Sequence, residues 1–195
     1  MKLPLSASIL LGFAPYIAFF ALMRGFSVEA GLWGAFAVAV LVGAQDKIRG
    51  GSWKILEVGA VVMFAGLAAF TWASHWQWTI MSVRLAVDFG LLTIVVLSLA
   101  IGQPFTLQYA RERVGAEAAR SALFLSVNRH ITLAWAAAFA ILVTMHAVVV
   151  FVPAVPVLAD LVVTIATLFS AYRFSTWYPA HTRKQAGLAQ QTLGA

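Results

Sequence analysis

Four ionisable side chains, Arg84, Asp88, His146 and Asp160, lie in the outer halves of long apolar blocks. A charge near a bilayer centre costs at least about 2.5 to 3.5 kcal/mol on insertion scales, so residues kept there are candidates for chemistry. Arg84 precedes Asp88 by one helical turn, which allows the two to pair along one face. Asp160 heads a face that continues through Thr164, Thr167 and Ala171, and the face of His146 runs inward through Phe139, Trp135 and Thr132. If the four converge, they make a polar pocket for a proton, a cation or an anionic headgroup, with histidine as the proton exchanger near neutral pH. The alternative is structural: Arg84 and Asp88 neutralise one another, and Asp160 caps the last span behind Pro153 and Pro156.

A second polar group, Gln45, Asp46, Lys54, Glu57, Arg111, Glu112 and Arg129, falls on the opposite side of the blocks. Arg111, Arg113 and Arg129 suit lipid phosphate, although a solvated rim of loop charges would have the same composition. Signals for catalysis are missing. The chain has no cysteine, no His-Glu-x-x-His, no Gly-x-Ser-x-Gly and no phosphate-binding loop. Its four histidines, 75, 130, 146 and 181, do not pair at matching depths as two haem ligands would. No cofactor, metal site or enzymatic activity is expected.

The elements that must position these residues follow from hydropathy. The chain is 62% hydrophobic and 10% charged, against about a quarter charged in a soluble domain. Apolar blocks near 6–23, 29–45, 54–73, 82–101, 131–151 and 155–173 approach the roughly 20 residues that a spanning helix needs. The expected fold is all-α: a polytopic six-transmembrane-helix bundle over residues 1–175, followed by a short cytoplasmic tail at 176–195. The first block has the outline of a signal peptide without a clean small-x-small cleavage site, so it is expected to stay as a span. Of the 13 Lys and Arg residues, all but Arg24 and Arg84 fall on one side, which by the positive-inside rule places both termini in the cytoplasm. That distribution accounts for the net charge of +6 without a nucleic-acid partner.

Within this frame three features stand out. Gly31, Ala35, Ala39 and Gly43 recur every fourth residue, a ridge of small side chains that marks close helix packing, either within the chain or between copies. Trp72, Trp76 and Trp78 cluster where indole rings would anchor at headgroup level. The stretch 103–130 reads as an amphipathic cytoplasmic segment between the fourth and fifth spans, with Phe105, Gln108, Tyr109 and Glu112 on one face.

At Gly102-Gln-Pro-Phe-Thr-Leu-Gln-Tyr-Ala-Arg-Glu and at Thr132-Leu-Ala-Trp-Ala-Ala-Ala-Phe139, the chain resembles the intracellular septation protein A (YciB-type) family of bacterial inner-membrane proteins. The resemblance covers mainly 102–150. It implies a role in septation or envelope maintenance through contacts with other membrane proteins, and it transfers no catalytic residue. The sequence therefore leads to two expectations. One is a non-enzymatic, multi-pass inner-membrane protein acting through membrane lipids, other envelope proteins or self-association. The other is a small transporter or channel subunit that uses Arg84, Asp88, His146 and Asp160.

Overall fold

A computed structural model describes residues 11–112, 114–115, 117–152 and 154–193. These residues form helices α1 (Ala14–Gly25), α2 (Val28–Ile48), α3 (Ile55–Ser74), α4 (Ile80–Ala100), α5 (Phe105–Arg111), a 3-10 turn (Ala118–Arg120), α6 (Ala122–Phe151) and α7 (Val157–Leu193). Among the described residues there is no strand. Five helices, α2, α3, α4, α6 and α7 up to Gln185, are long and apolar enough to cross a membrane. Helix α1 has 12 residues, about 18 Å of helix.

Local chemistry explains most of the boundaries. Ser27 accepts from the Ala30 amide at the start of α2. Thr79 and Ser82 form a reciprocal capping box on α4, which satisfies amides that have no partner in the first turn. Gly50 and Gly102 end their helices at φ of 80° and 70°, a left-handed conformation that costs glycine little.

Two helices outrun the hydropathy reading. The fifth span was expected from 131, but α6 starts at Ala122, where Ser121 caps the Phe124 amide. Its first turns hold polar residues, and the Asn128 side chain donates to the Phe124 carbonyl at 2.8 Å. The last span was expected to close near 173, and α7 instead continues to Leu193 through Pro179. Hydropathy ends a span where polarity begins, whereas a helix ends only where its backbone bonding does.

The helices pack in sequence as α1 on α2, α2 on α3 and α3 on α4, while α6 bridges α4 and α7. The small-residue ridge is an internal contact: Gly31, Ala35, Ala39 and Gly43 are all buried. A Cβ on Gly31 would lie 3.0 Å from the Phe19 carbonyl oxygen of α1. The core is aromatic, with Phe13 stacked on Trp135 at 5.1 Å and edge-on to Phe105. Large apolar side chains such as Leu41, Val62, Phe89, Leu97 and Ile165 face outward, an exposure suited to lipid rather than water. Trp72 and Trp76 are also exposed, whereas Trp78 turns inward and donates to the Thr71 hydroxyl at 2.7 Å.

The stretch after Gly102 departs from an interfacial helix. Phe105 and Tyr109 are 0% and 2% exposed, so this face of α5 meets the bundle and not the headgroups. Thr106 explains the docking: its hydroxyl donates to the Asn128 carbonyl at 2.9 Å and lies 2.7 Å from the Thr132 hydroxyl on α6. A buried hydroxyl needs such partners, and α6 supplies both.

Candidate functional site

Arg84 and Asp88 come from the first turns of α4, His146 from the last turns of α6, and Asp160 from the first turn of α7. Because α4 and α7 begin where α6 ends, antiparallel packing brings the four to one end of the bundle. Arg84 Nη1 donates to Asp160 Oδ2 at 2.8 Å. His146 stands between the two carboxylates, with Nδ1 2.6 Å from Asp88 Oδ2 and Nε2 3.0 Å from Asp160 Oδ1. The order is Asp88, His146, Asp160, Arg84.

Pairing along α4 between Arg84 and Asp88 gives way to pairing across helices. Asp160 is likewise no cap, since each of its oxygens meets a side chain of another helix. The side chains of His146 and Asp160 are each 1% exposed, so the interactions act far from bulk water, where unpaired charge is costly. An imidazolium makes the group neutral, two cations against two carboxylates. The neutral ring has one N–H, and it faces two carboxylates. Both His146 contacts are ionic rather than aligned hydrogen bonds, as neither ring nitrogen meets its oxygen with hydrogen-bond geometry.

Beside the four lies a cleft of about 380 Å³, in the size range of small-molecule sites. Its walls are aromatic and aliphatic, including Phe20, Trp135 and Phe139, and Arg84, Asp88 and His146 supply its charge. Ile17 and Phe169 line it while remaining 59% and 61% exposed, so it opens at the bundle surface between α1 and α7. Three buried polar atoms on its lining have no protein partner: the Tyr16 hydroxyl, Arg84 Nε and the Thr164 hydroxyl. Natural structures seldom leave such atoms unsatisfied, and here they share one space.

The second polar group is also more enclosed than a rim. Lys54, at the start of α3, is 2% exposed and Glu57 5%. The Lys54 ammonium contacts Asp46 at the end of α2, lies 3.1 Å from Glu112 and 3.6 Å from Glu57, and sits over the Tyr109 ring at 5.1 Å. Burial works against its charge, but the Asp46 contact, Glu57 and Glu112 outweigh that and hold its proton above the ordinary lysine range. Burial, with Glu57 adding to it, pushes the Tyr109 phenol well above its ordinary value. Gln108 joins the group by accepting from the Ile55 amide at 2.8 Å. Gln45, Arg111 and Arg129 are exposed, and Arg113 lies outside the described residues.

Sequence reasoning missed Tyr16 and the enclosure of Lys54, Glu57 and Tyr109. The available signal was Glu57 itself, a carboxylate one turn after Lys54 and already inside an apolar block. Comparison with protein-family models, with curated proteins and with solved structures finds no match to this chain.

Proposed function

We propose that this chain is a non-enzymatic, six-span protein of the bacterial inner membrane, with both termini cytoplasmic, that acts as a small transporter or channel subunit. Its working site is the Asp88–His146–Asp160–Arg84 cluster. The observation that carries this reading is His146 held between two carboxylates beside an aromatic-walled cleft. A ring with two acceptors and one exchangeable proton changes the charge of a buried site each time it titrates, which a purely structural ion pair does not require. The unpartnered Tyr16, Arg84 and Thr164 groups offer donors to a ligand with oxygen acceptors. Basic residues concentrated on one side support the orientation, and the apolar block near 6–23 supports a sixth span.

The test is proton movement in proteoliposomes under an imposed membrane potential, read with a trapped pH dye. The wild type should exceed protein-free vesicles, and Asp88→Asn or His146→Gln should lower the rate at least tenfold. A wild-type rate equal to protein-free vesicles would sink the transport reading.

A second reading, envelope maintenance through protein contacts, draws on the packing of the two segments that resemble septation protein A. Thr106 of the first bonds to Thr132 of the second, so the similar residues form one structural unit. On that reading the protein co-purifies with other envelope proteins and carries no flux.

A further inference from the structure

Among the described residues the four-residue cluster is one of two buried ionic groups, and they sit at opposite ends of α3 and α4. With 1.5 Å of rise per residue, Glu57 is about 3 Å inside the first end of α3 and Asp88 about 12 Å inside the other, which leaves roughly 15 Å between them. Two tyrosines occupy that interval. The Tyr109 hydroxyl lies 3.4 Å from Glu57 Oε1. It also fills the space that a Cβ on Gly12 would take, which fixes its height against the first helix. Tyr16 follows Gly12 by four residues, in the first turn of α1. Tyr16 is 4% exposed, its hydroxyl has no protein partner, and it lines the cleft with Asp88 and His146. At the other end, Glu57 Oε2 is likewise buried without a partner.

A phenol hydroxyl both donates and accepts, so it can take a proton on its oxygen while releasing its own, and the ring is left neutral. Tyr16 stands close enough to act on the Tyr109 phenol electrostatically, and a water between the two hydroxyls would have two polar partners. The rings of Phe64 and Phe13, 5.3 and 5.9 Å from that of Tyr16, make the surroundings apolar. Protons there have few routes besides the hydroxyls.

We propose that a proton route joins the two clusters, from Asp88 and His146 through Tyr16 and Tyr109 to Glu57 beside Lys54. The proposal rests on the reading of the four-residue cluster as a proton-exchanging site. In one passage the Asp88–His146 pair gives a proton to the Tyr16 oxygen, and the Tyr16 proton moves through water to the Tyr109 oxygen. The Tyr109 proton then moves to the Glu57 carboxylate. Glu57 then releases the proton to water at its end of the bundle, the pair is reprotonated from the cleft, and nothing is oxidised or reduced. Asp160 of α7 faces His146 and pairs with Arg84 of α4, while Lys54, held by Asp46 and Glu112, lies 3.6 Å from the receiving carboxylate.

The experiment compares the full-length wild type with Tyr16→Phe, Tyr109→Phe and Glu57→Gln in proteoliposomes, each first checked for monodisperse elution and an unchanged melting temperature. Potential-driven proton flux is measured alongside the protonation of His146, followed by the ¹⁵N shifts of its imidazole as bulk pH is varied. The expected result is a loss of flux of tenfold or more in each variant while His146 still titrates. Flux that needs Asp88 but is unchanged in Tyr16→Phe and Tyr109→Phe overturns the route and leaves the site reading standing. Absence of flux in the wild type overturns both. If one tyrosine variant melts early, the other and Glu57→Gln decide, since each interrupts the same path.

Discussion

His146 Nδ1 lies 2.6 Å from Asp88 Oδ2, and its opposite nitrogen lies 3.0 Å from Asp160. One imidazole thus ties α4 to α7 through α6, and the stability of this end of the bundle should depend on its charge.

Replacing His146 by Ala leaves Asp160 with Arg84 and removes the imidazole from the buried Asp88 carboxylate. Breaking a buried ionic arrangement by removing one partner costs about 3 to 5 kcal/mol. His146→Ala should therefore melt well below the wild type in detergent, and adding Asp88→Asn should recover part of the loss. A single variant that melts with the wild type would show that the cluster adds no stability.

Thr164 makes the opposite prediction. Its buried hydroxyl has no protein partner, and an unsatisfied buried polar group costs about 1 to 3 kcal/mol. Thr164→Val keeps the shape and removes that cost, so unfolding should shift upward by about 1 kcal/mol while proton flux or ligand binding weakens. A fall in both would mean that the hydroxyl has a structural partner.

Lys54 supplies a pH test. Its proton is held above the ordinary lysine value of 10.5, so its contribution to stability is fully present below that value and is lost as pH rises through the higher folded one. Melting temperature should drop on the alkaline side. Lys54→Met should lower stability by about 3 to 5 kcal/mol near neutral pH and flatten the alkaline decline. An equally steep alkaline limb in the variant would assign it to other groups.

Gly31 tests the small-residue ridge. A Cβ there meets the Phe19 carbonyl and Met23 at 3.0 Å, so Gly31→Leu must push α1 from α2. Overpacking of this kind costs about 1 to 3 kcal/mol. Gly34→Ala is the comparison, because its Cβ meets only the flexible end of Leu22. Unfolding followed by tryptophan fluorescence should rank Gly31→Leu below Gly34→Ala, and the reverse order would remove the ridge from the α1–α2 contact.

The sequence by itself determined the helical, lipid-facing character of the chain. Apolar blocks long enough to span a bilayer leave the backbone few other ways to satisfy its polar groups, and α2, α3 and α4 match their blocks to within a few residues. It also determined the ridge, because a four-residue repeat of small side chains specifies a face whatever its partner. Tertiary structure decided which charges meet. Arg84 stands one turn from Asp88 and yet bonds Asp160 on α7, since helical periodicity fixes the face a side chain leaves from and only packing fixes what stands opposite. The same holds for Lys54, which reads as a rim residue in the sequence, and for Tyr109, which reads as one face of an interfacial helix. They are enclosed because Thr106 draws α5 onto α6 and carries Tyr109 against Glu57 and Gly12. Hydropathy averages over a helix, whereas a buried site is set by contacts between single side chains on helices distant in sequence.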